Sequence, residues 1–268
     1  MTDPRYYQIA TLSSLIAWGS TSLGFGIRID NALAIVAVAL VTQWVGTRLA
    51  GLARFDPLSA IITSLSLTLL LRTDLVWIAA VAATLAVGSK FLLRANGKHI
   101  FNPANFAIVV LILLSDRAWI SSGQWGSTSL LAIAVIGLGL VVLSRARRFE
   151  TTLFFLGSWA TLLLARAVWL GDPLAIPLHQ LQNGALLVFA FFMISDPVTA
   201  PNSPLGRALF GTLVAVVAYV IQFYFYLPSG PVLALIGCAL AVPLIDRCLN
   251  GSKYRWRVPH KGATPCES

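Results

Sequence analysis

The sequence predicts an all-α integral membrane fold of ten transmembrane helices, arranged as two inverted five-helix repeats. Three observations predict it. Hydrophobic residues make up 57% of the 268 and charged residues only 11%, whereas a soluble globular chain carries about 25% charged residues. So much apolar surface requires lipid as its solvent. Ten apolar stretches are each long enough to cross, or nearly cross, a hydrocarbon core of ~30 Å. The basic residues divide unevenly between the two sides that ten crossings define.

The stretches lie near residues 9–27, 31–47, 57–71, 74–89, 103–115, 126–144, 151–169, 183–195, 207–227 and 230–246. The first, "IATLSSLIAWGSTSLGFGI", carries no small-residue cleavage site that stands out, so it reads as a retained helix and not as a signal peptide. The third opens on Asp56-Pro57 and the fifth on Asn102-Pro103, with Asn105 inside its first turn. Proline suits the first turn of a helix because its missing N–H is not needed there, and Asp or Asn before it can cap. The eighth closes on the clause Asp196-Pro197-Val198-Thr199. Short, proline-interrupted segments in matching positions of two halves point to a binding site near the midplane, where broken helix ends leave backbone groups free.

With ten crossings, both termini share one side. Fifteen of the 19 Lys and Arg fall there, from Arg5 through Lys90, Lys98, Arg147 and Arg207 to Lys253, and only Arg28, Arg72, Arg117 and Arg166 fall on the other. The positive-inside rule then places both termini in the cytoplasm. Residues 1–125 form the first repeat, 126–250 the second, and 251–268 a basic cytoplasmic tail. The net charge of +9 does not indicate a nucleic-acid partner, because the basic residues sit singly between apolar runs. The tail, with Tyr254 and Trp256 among its charges, suits anionic headgroups.

Several chemistries are missing. No carboxylate lies mid-segment, so there is no buried ionisable relay. Cys238, Cys248 and Cys266 lack metal-ligand spacing, and His99, His179 and His260 offer no bis-histidine haem site. No Walker loop, G-x-G-x-x-G or G-x-S-x-G occurs. No catalytic or metal-binding residue is expected, and the partner that composition demands is the lipid bilayer.

"FNPA" at 101–104 and "FMISDPVTAP" at 192–201 resemble the RnfD/NqrB family, membrane proteins of the Rnf electron-transport complex and of the sodium-pumping NADH:quinone reductase. "SKFLLRANGKHIFNP" at 89–103 is similar to stand-alone relatives found beside enediyne biosynthesis genes. The resemblance implies a bacterial inner-membrane protein with a plan like that of urea transporters, electron transfer through flavin, and other membrane redox subunits as partners. It also implies an FMN joined to a threonine in a Ser/Thr-Gly-Ala-Thr motif before the sixth segment. The matching stretch is "SGQWGSTSLL" at 122–131, with Thr128 at the acceptor position. That position is degenerate: Trp125 stands for the small hydroxyl residue, Ser127 for Ala and Ser122 for an acid. Thr128 reads equally as the first turn of segment six. The expected cofactor is therefore FMN or riboflavin held without a covalent bond. Asn102, Pro103, Asn105, Asp196, Pro197 and Thr199 are its candidate contacts. A channel or transporter for a small neutral solute is the alternative, and a membrane anchor or assembly factor a third reading.

Overall fold

The computed structural model describes residues 3–22, 24–121, 136–140, 144 and 149–254. Its order is α1 (Pro4–Ser22), α2 (Ile29–Leu49), α3 (Pro57–Leu70), β1 (Leu71–Thr73), α4 (Val76–Leu92), β2 (Arg94–Ala95), β3 (Lys98–His99), α5 (Pro103–Leu114) and β4 (Ala118–Ile120). Then come α6 (Glu150–Leu170), α7 (Ala175–Leu181), α8 (Gly184–Val188), a π-helical turn (Phe189–Met193), α9 (Pro204–Phe223), α10 (Gly230–Ala239) and α11 (Val242–Cys248). Residues 136–140 and 144 are helical; the rest of the expected sixth segment lies outside the described residues.

The chain is mostly helical and membrane-embedded. Among the described residues α2, α6 and α9 are long and apolar enough to cross a membrane. Two bent pairs raise the count to five: α7 with the stretch Gly184–Met193, bent by 47°, and α10 with α11, bent by 50°. The helices α3, α4 and α5 are shorter, at 14, 17 and 12 residues. At 1.5 Å per residue they span roughly 18–26 Å.

Local chemistry sets these boundaries. Prolines 57, 103 and 204 begin α3, α5 and α9. Asn102 and Ser203 cap their helices through side-chain oxygens. Asp56 does not cap α3; its carboxylate accepts from Arg5 Nη1 at 2.5 Å. The first helix starts at Pro4 and stops at Ser22, earlier than the expected 9–27, because Gly24 and Gly26 turn the chain with φ of 58° and 59°. The expected tenth helix breaks after Ala239 and resumes with Pro243 in its first turn, where a proline has no N–H to continue the ladder. Asn96 and Gly97, at φ 52° and 77°, close the β2–β3 hairpin, as a two-residue turn with positive φ at both positions should.

The helices pack in a repeated pattern. α2 packs on α4 and α4 on α5; α6 packs on α9 and α9 on α10; α5 meets α10 between the two sets. At the α6–α9 crossing a Cβ on Gly211 would lie 2.5 Å from the Thr151 carbonyl oxygen, so only glycine fits. The apolar core runs through Leu67, Ile78, Ile108, Phe155, Phe189 and Val214. Thr152 donates its hydroxyl to the Ala190 carbonyl at 2.7 Å, within the turn where the change to π geometry disturbs the regular helical ladder.

Candidate functional site

The two polar clauses meet at the end of the bundle that carries the described termini. Asn102 Oδ1 accepts from Asn105 N at 3.1 Å, and Asn102 Nδ2 donates to the Met193 carbonyl at 3.3 Å. The mouth of α5 is thus tied to the end of the π-helical turn. Asn105 is 1% exposed; its Nδ2 donates to the Val232 carbonyl at 3.0 Å, and its Oδ1 has no partner among the described residues. Asp196 accepts from Val198 N at 3.0 Å and so folds the clause after it. Thr199 points back to the Asp196 carbonyl at 3.4 Å.

Asn102, Pro103, Asp196 and Pro197 line one cavity of about 90 Å³, together with Lys90 and His99. Asn105 and Thr199 are not in its wall. Thr128 lies outside the described residues. Two cations of this region have partners that the sequence does not reveal. Lys90 Nζ donates to Ser59 O and Oγ, both at 3.0 Å. Lys98 Nζ is shared by Ala200 O at 2.8 Å, Asn202 Oδ1 at 3.1 Å and Asp246 Oδ2 at 2.9 Å. In the sequence each stands only as a charge marking the cytoplasmic side.

His99 and Asp196, both in the wall of the 90 Å³ cavity, have displaced titrations. Burial, with Lys90 and Arg94 nearby, pulls the His99 imidazole down to about 4 from its ordinary 6.5. Burial pushes the Asp196 carboxyl up. The signs are opposite. Between pH 6.5 and 4 the unfolded chain binds a proton that folded His99 refuses, so stability falls as the pH drops through that window. Folded Asp196 keeps its proton where the unfolded chain has lost it, so its share of stability rises as the pH falls toward its ordinary value. The His99 contribution is therefore the difference between wild type and His99→Gln. Unfolding followed from pH 7 to pH 4 should show the wild type losing on the order of 2 kcal/mol more than the variant. Parallel curves would show that His99 is solvated in the folded state.

A second, larger cavity of about 550 Å³ lies at the opposite end of the bundle, among α5, β4, α6, α8 and the start of α10. Trp119, Trp159 and Phe189 form its aromatic wall, and Gln180, Asn183 and Gln222 supply amides. Sites for cofactor-sized ligands occupy about 300–1,000 Å³. The 90 Å³ cavity is too small for an isoalloxazine ring and suits a few waters, at about 30 Å³ each. The larger cavity has the volume, the flat apolar surfaces and the few polar groups that a flavin requires.

Residues 114–255 match the NQR2, RnfD, RnfE family, which is more than half of the chain. The chain belongs to that family. The NQR2, RnfD, RnfE match takes in β4, the Thr128 stretch and every helix from α6 to α11. Curated relatives agree. The D subunit of the ion-translocating oxidoreductase complex of Shewanella amazonensis is 41% identical over 86 residues, which is 32% of this chain and 25% of that protein. Its counterpart in Escherichia fergusonii is 37% identical over 133 residues, 49% of this chain and 33% of that protein. The counterpart in Mannheimia succiniciproducens is 42% identical over 80 residues, 30% and 23% respectively. The chain thus spans about a quarter to a third of the length of these relatives, from 23% to 33%.

Proposed function

We propose that this chain is an integral inner-membrane subunit of an Rnf-type electron-transport system, holding a flavin without a covalent bond in the 550 Å³ cavity. The observation that carries this reading is that cavity, aromatic-walled and amide-edged, in a member of a redox-complex family. Trp119, Trp159 and Phe189 would stack on the ring system. Gln180, Asn183 and Gln222 would bond its polar edges. A bound flavin supplies one- and two-electron chemistry; the chain supplies position and dielectric. Residues Asn102, Pro103, Asn105, Asp196, Pro197 and Thr199 then join the two halves at the other end and do not contact the ring. Trp125 deprives Thr128 of a small neighbour, Ser122 of an acidic one, and Ser127 departs from the motif's alanine, which favours a dissociable cofactor.

The same reading includes ten spans in two inverted repeats, 1–125 and 126–250, followed by a cytoplasmic tail at 251–268. The packing sequence α2–α4–α5 and its echo α6–α9–α10 support it. So do the matching starts Asn102-Pro103 of α5 and Ser229-Gly230-Pro231 of α10. The described basic residues Arg5, Lys98, Arg207 and Lys253 bond to segments at one end, which supports cytoplasmic termini. Other membrane redox subunits are its partners.

Ala185 lines the large cavity, so Ala185→Trp should fill it. We expect the purified variant to retain less than about a tenth of the wild-type flavin, a shift of about 1.4 kcal/mol or more in affinity, with its thermal unfolding unchanged. Full flavin content in the variant would place the cofactor elsewhere. A flavin-free wild type that carries a small neutral solute in liposomes would favour the channel alternative.

A further inference from the structure

The arginines at the end opposite the termini are not equivalent. Among the described residues, Arg28 pairs with Asp30, Arg117 with Asp74 at 2.9 Å and Arg166 with Asp172 at 3.5 Å. Arg72, at the centre of β1, has no carboxylate among them. Its Nη1 donates to the carbonyls of Thr68 at 3.0 Å and Leu71 at 3.1 Å, and its Nη2 to that of Phe25 at 3.2 Å. These bonds cover the end of α3 and fix the guanidinium. A guanidinium has five N–H donors. The Nε–H and one Nη2–H remain without a partner among the described residues.

Arg72 lines a cavity of about 210 Å³ with Arg28, Asn31, Thr73, Asp74 and Trp119. Among the described residues the Asp74 carboxylate pairs with Arg117 at 2.9 Å and not with Arg72, and the Asp74 carbonyl accepts from Arg28 at 2.9 Å. Asn31 gives the second, independent sign of a ligand. It is 9% exposed, its Nδ2 donates to the Thr73 carbonyl at 2.8 Å, and its buried Oδ1 has no partner among the described residues. A guest here must accept from a fixed guanidinium and donate to an amide oxygen. Phosphate oxygens match the geometry of a guanidinium, and an orphaned acceptor calls for a hydroxyl.

We propose that the Arg72 cavity binds a phosphate ester bearing a nearby hydroxyl, with the phosphate on Arg72 and the hydroxyl on Asn31. Two sources share that chemistry. One is the headgroup of a glycerol-bearing anionic lipid, whose phosphate lies at the level of a membrane-end strand. The other is FMN, whose ribityl hydroxyls adjoin its phosphate. Trp119 is the cross-strand partner of Arg72 and also walls the 550 Å³ cavity. Only the FMN source rests on the flavin reading.

The test uses the full chain purified in detergent. FMN and riboflavin are titrated by quenching of flavin fluorescence, and phosphatidylglycerol and diacylglycerol of the same acyl chains are compared by native mass spectrometry. In at least one pair the phosphate-bearing member should bind about tenfold tighter or more, and Arg72→Gln should remove that preference. Arg72→Lys should keep part of it, and Asn31→Leu should weaken the phosphate-bearing ligand. A preference in the lipid pair alone assigns the site to the bilayer whether or not flavin binds, and a preference in the flavin pair assigns it to the cofactor. No preference in either wild-type pair, or a full preference in Arg72→Gln, would overturn the proposal. If Arg72→Gln does not fold, the wild-type pairs and Arg72→Lys decide.

Discussion

Lys98→Met is expected to lower the stability of the protein by about 3 kcal/mol, the scale for removing one partner of a buried ion pair. The Lys98 and Asp246 side chains are each 13% exposed. Lys98 Nζ serves three acceptors at once, on the clause after Asp196 and on α11. Methionine has nearly the same length and supplies no donor, so Ala200 O, Asn202 Oδ1 and Asp246 Oδ2 all lose one. Asp246 keeps the backbone N–H of Asn202, at 2.7 Å. Lys98→Met with Asp246→Asn should therefore cost less than the sum of the two single changes, by about 1 kcal/mol or more. Lys253→Ala, which removes an exposed bond to the Asn96 carbonyl, should stay within about 0.5 kcal/mol. Thermal unfolding in detergent reads all four. A loss near that of Lys253→Ala would mean that water replaces the ammonium and that this network does not hold the halves together.

Arg207→Ala should cost about 3–5 kcal/mol. The guanidinium lies at the mouth of α9, 6% exposed, and grips Glu150 with both edges of the fork: Nε to Oε2 at 3.0 Å and Nη2 to Oε1 at 2.9 Å. Nη1 donates to the Asn202 carbonyl at 2.8 Å. Glu150 also stands in the first turn of α6, where a negative charge favours the helix. Arg207→Lys keeps the charge but not the planar fork, and should still lose about half as much. If the lysine variant unfolds with the wild type, the charge of residue 207 suffices for this bridge without the planar fork. The prediction would then fail in its geometric part.

Proline and asparagine make the starts of α3 and α5 legible in the sequence, because each acts within one turn of its own position. Composition makes the membrane legible. The two clauses around Asn102 and Asp196 stand out as a pair, and they do share a cavity. What stays hidden depends on distant partners. Asp56 has the form of a cap, yet binds Arg5 across 51 residues, and nothing local marks that choice. Lys98 gives no sign that it will meet Asp246, 148 residues away. The π-helical turn over "FAFFM" has no composition of its own. β1 and β4 are three residues each, too short for a period of two to be read. Two signals are present and easily passed over: Asn96-Gly97 marks a tight hairpin turn, and Pro243 marks the break within the tenth segment. The large cavity is illegible because its walls come from several elements, and no single stretch of sequence carries more than a few of its residues.

The visible absorption spectrum of the protein purified from bacterial membranes bears most directly on the flavin in the 550 Å³ cavity. We expect flavin bands that bleach on reduction, with the chromophore leaving the chain for the small-molecule fraction when the protein is denatured. A colourless preparation, or a flavin that stays on the chain through a denaturing gel and is lost in Thr128→Ala, would contradict it.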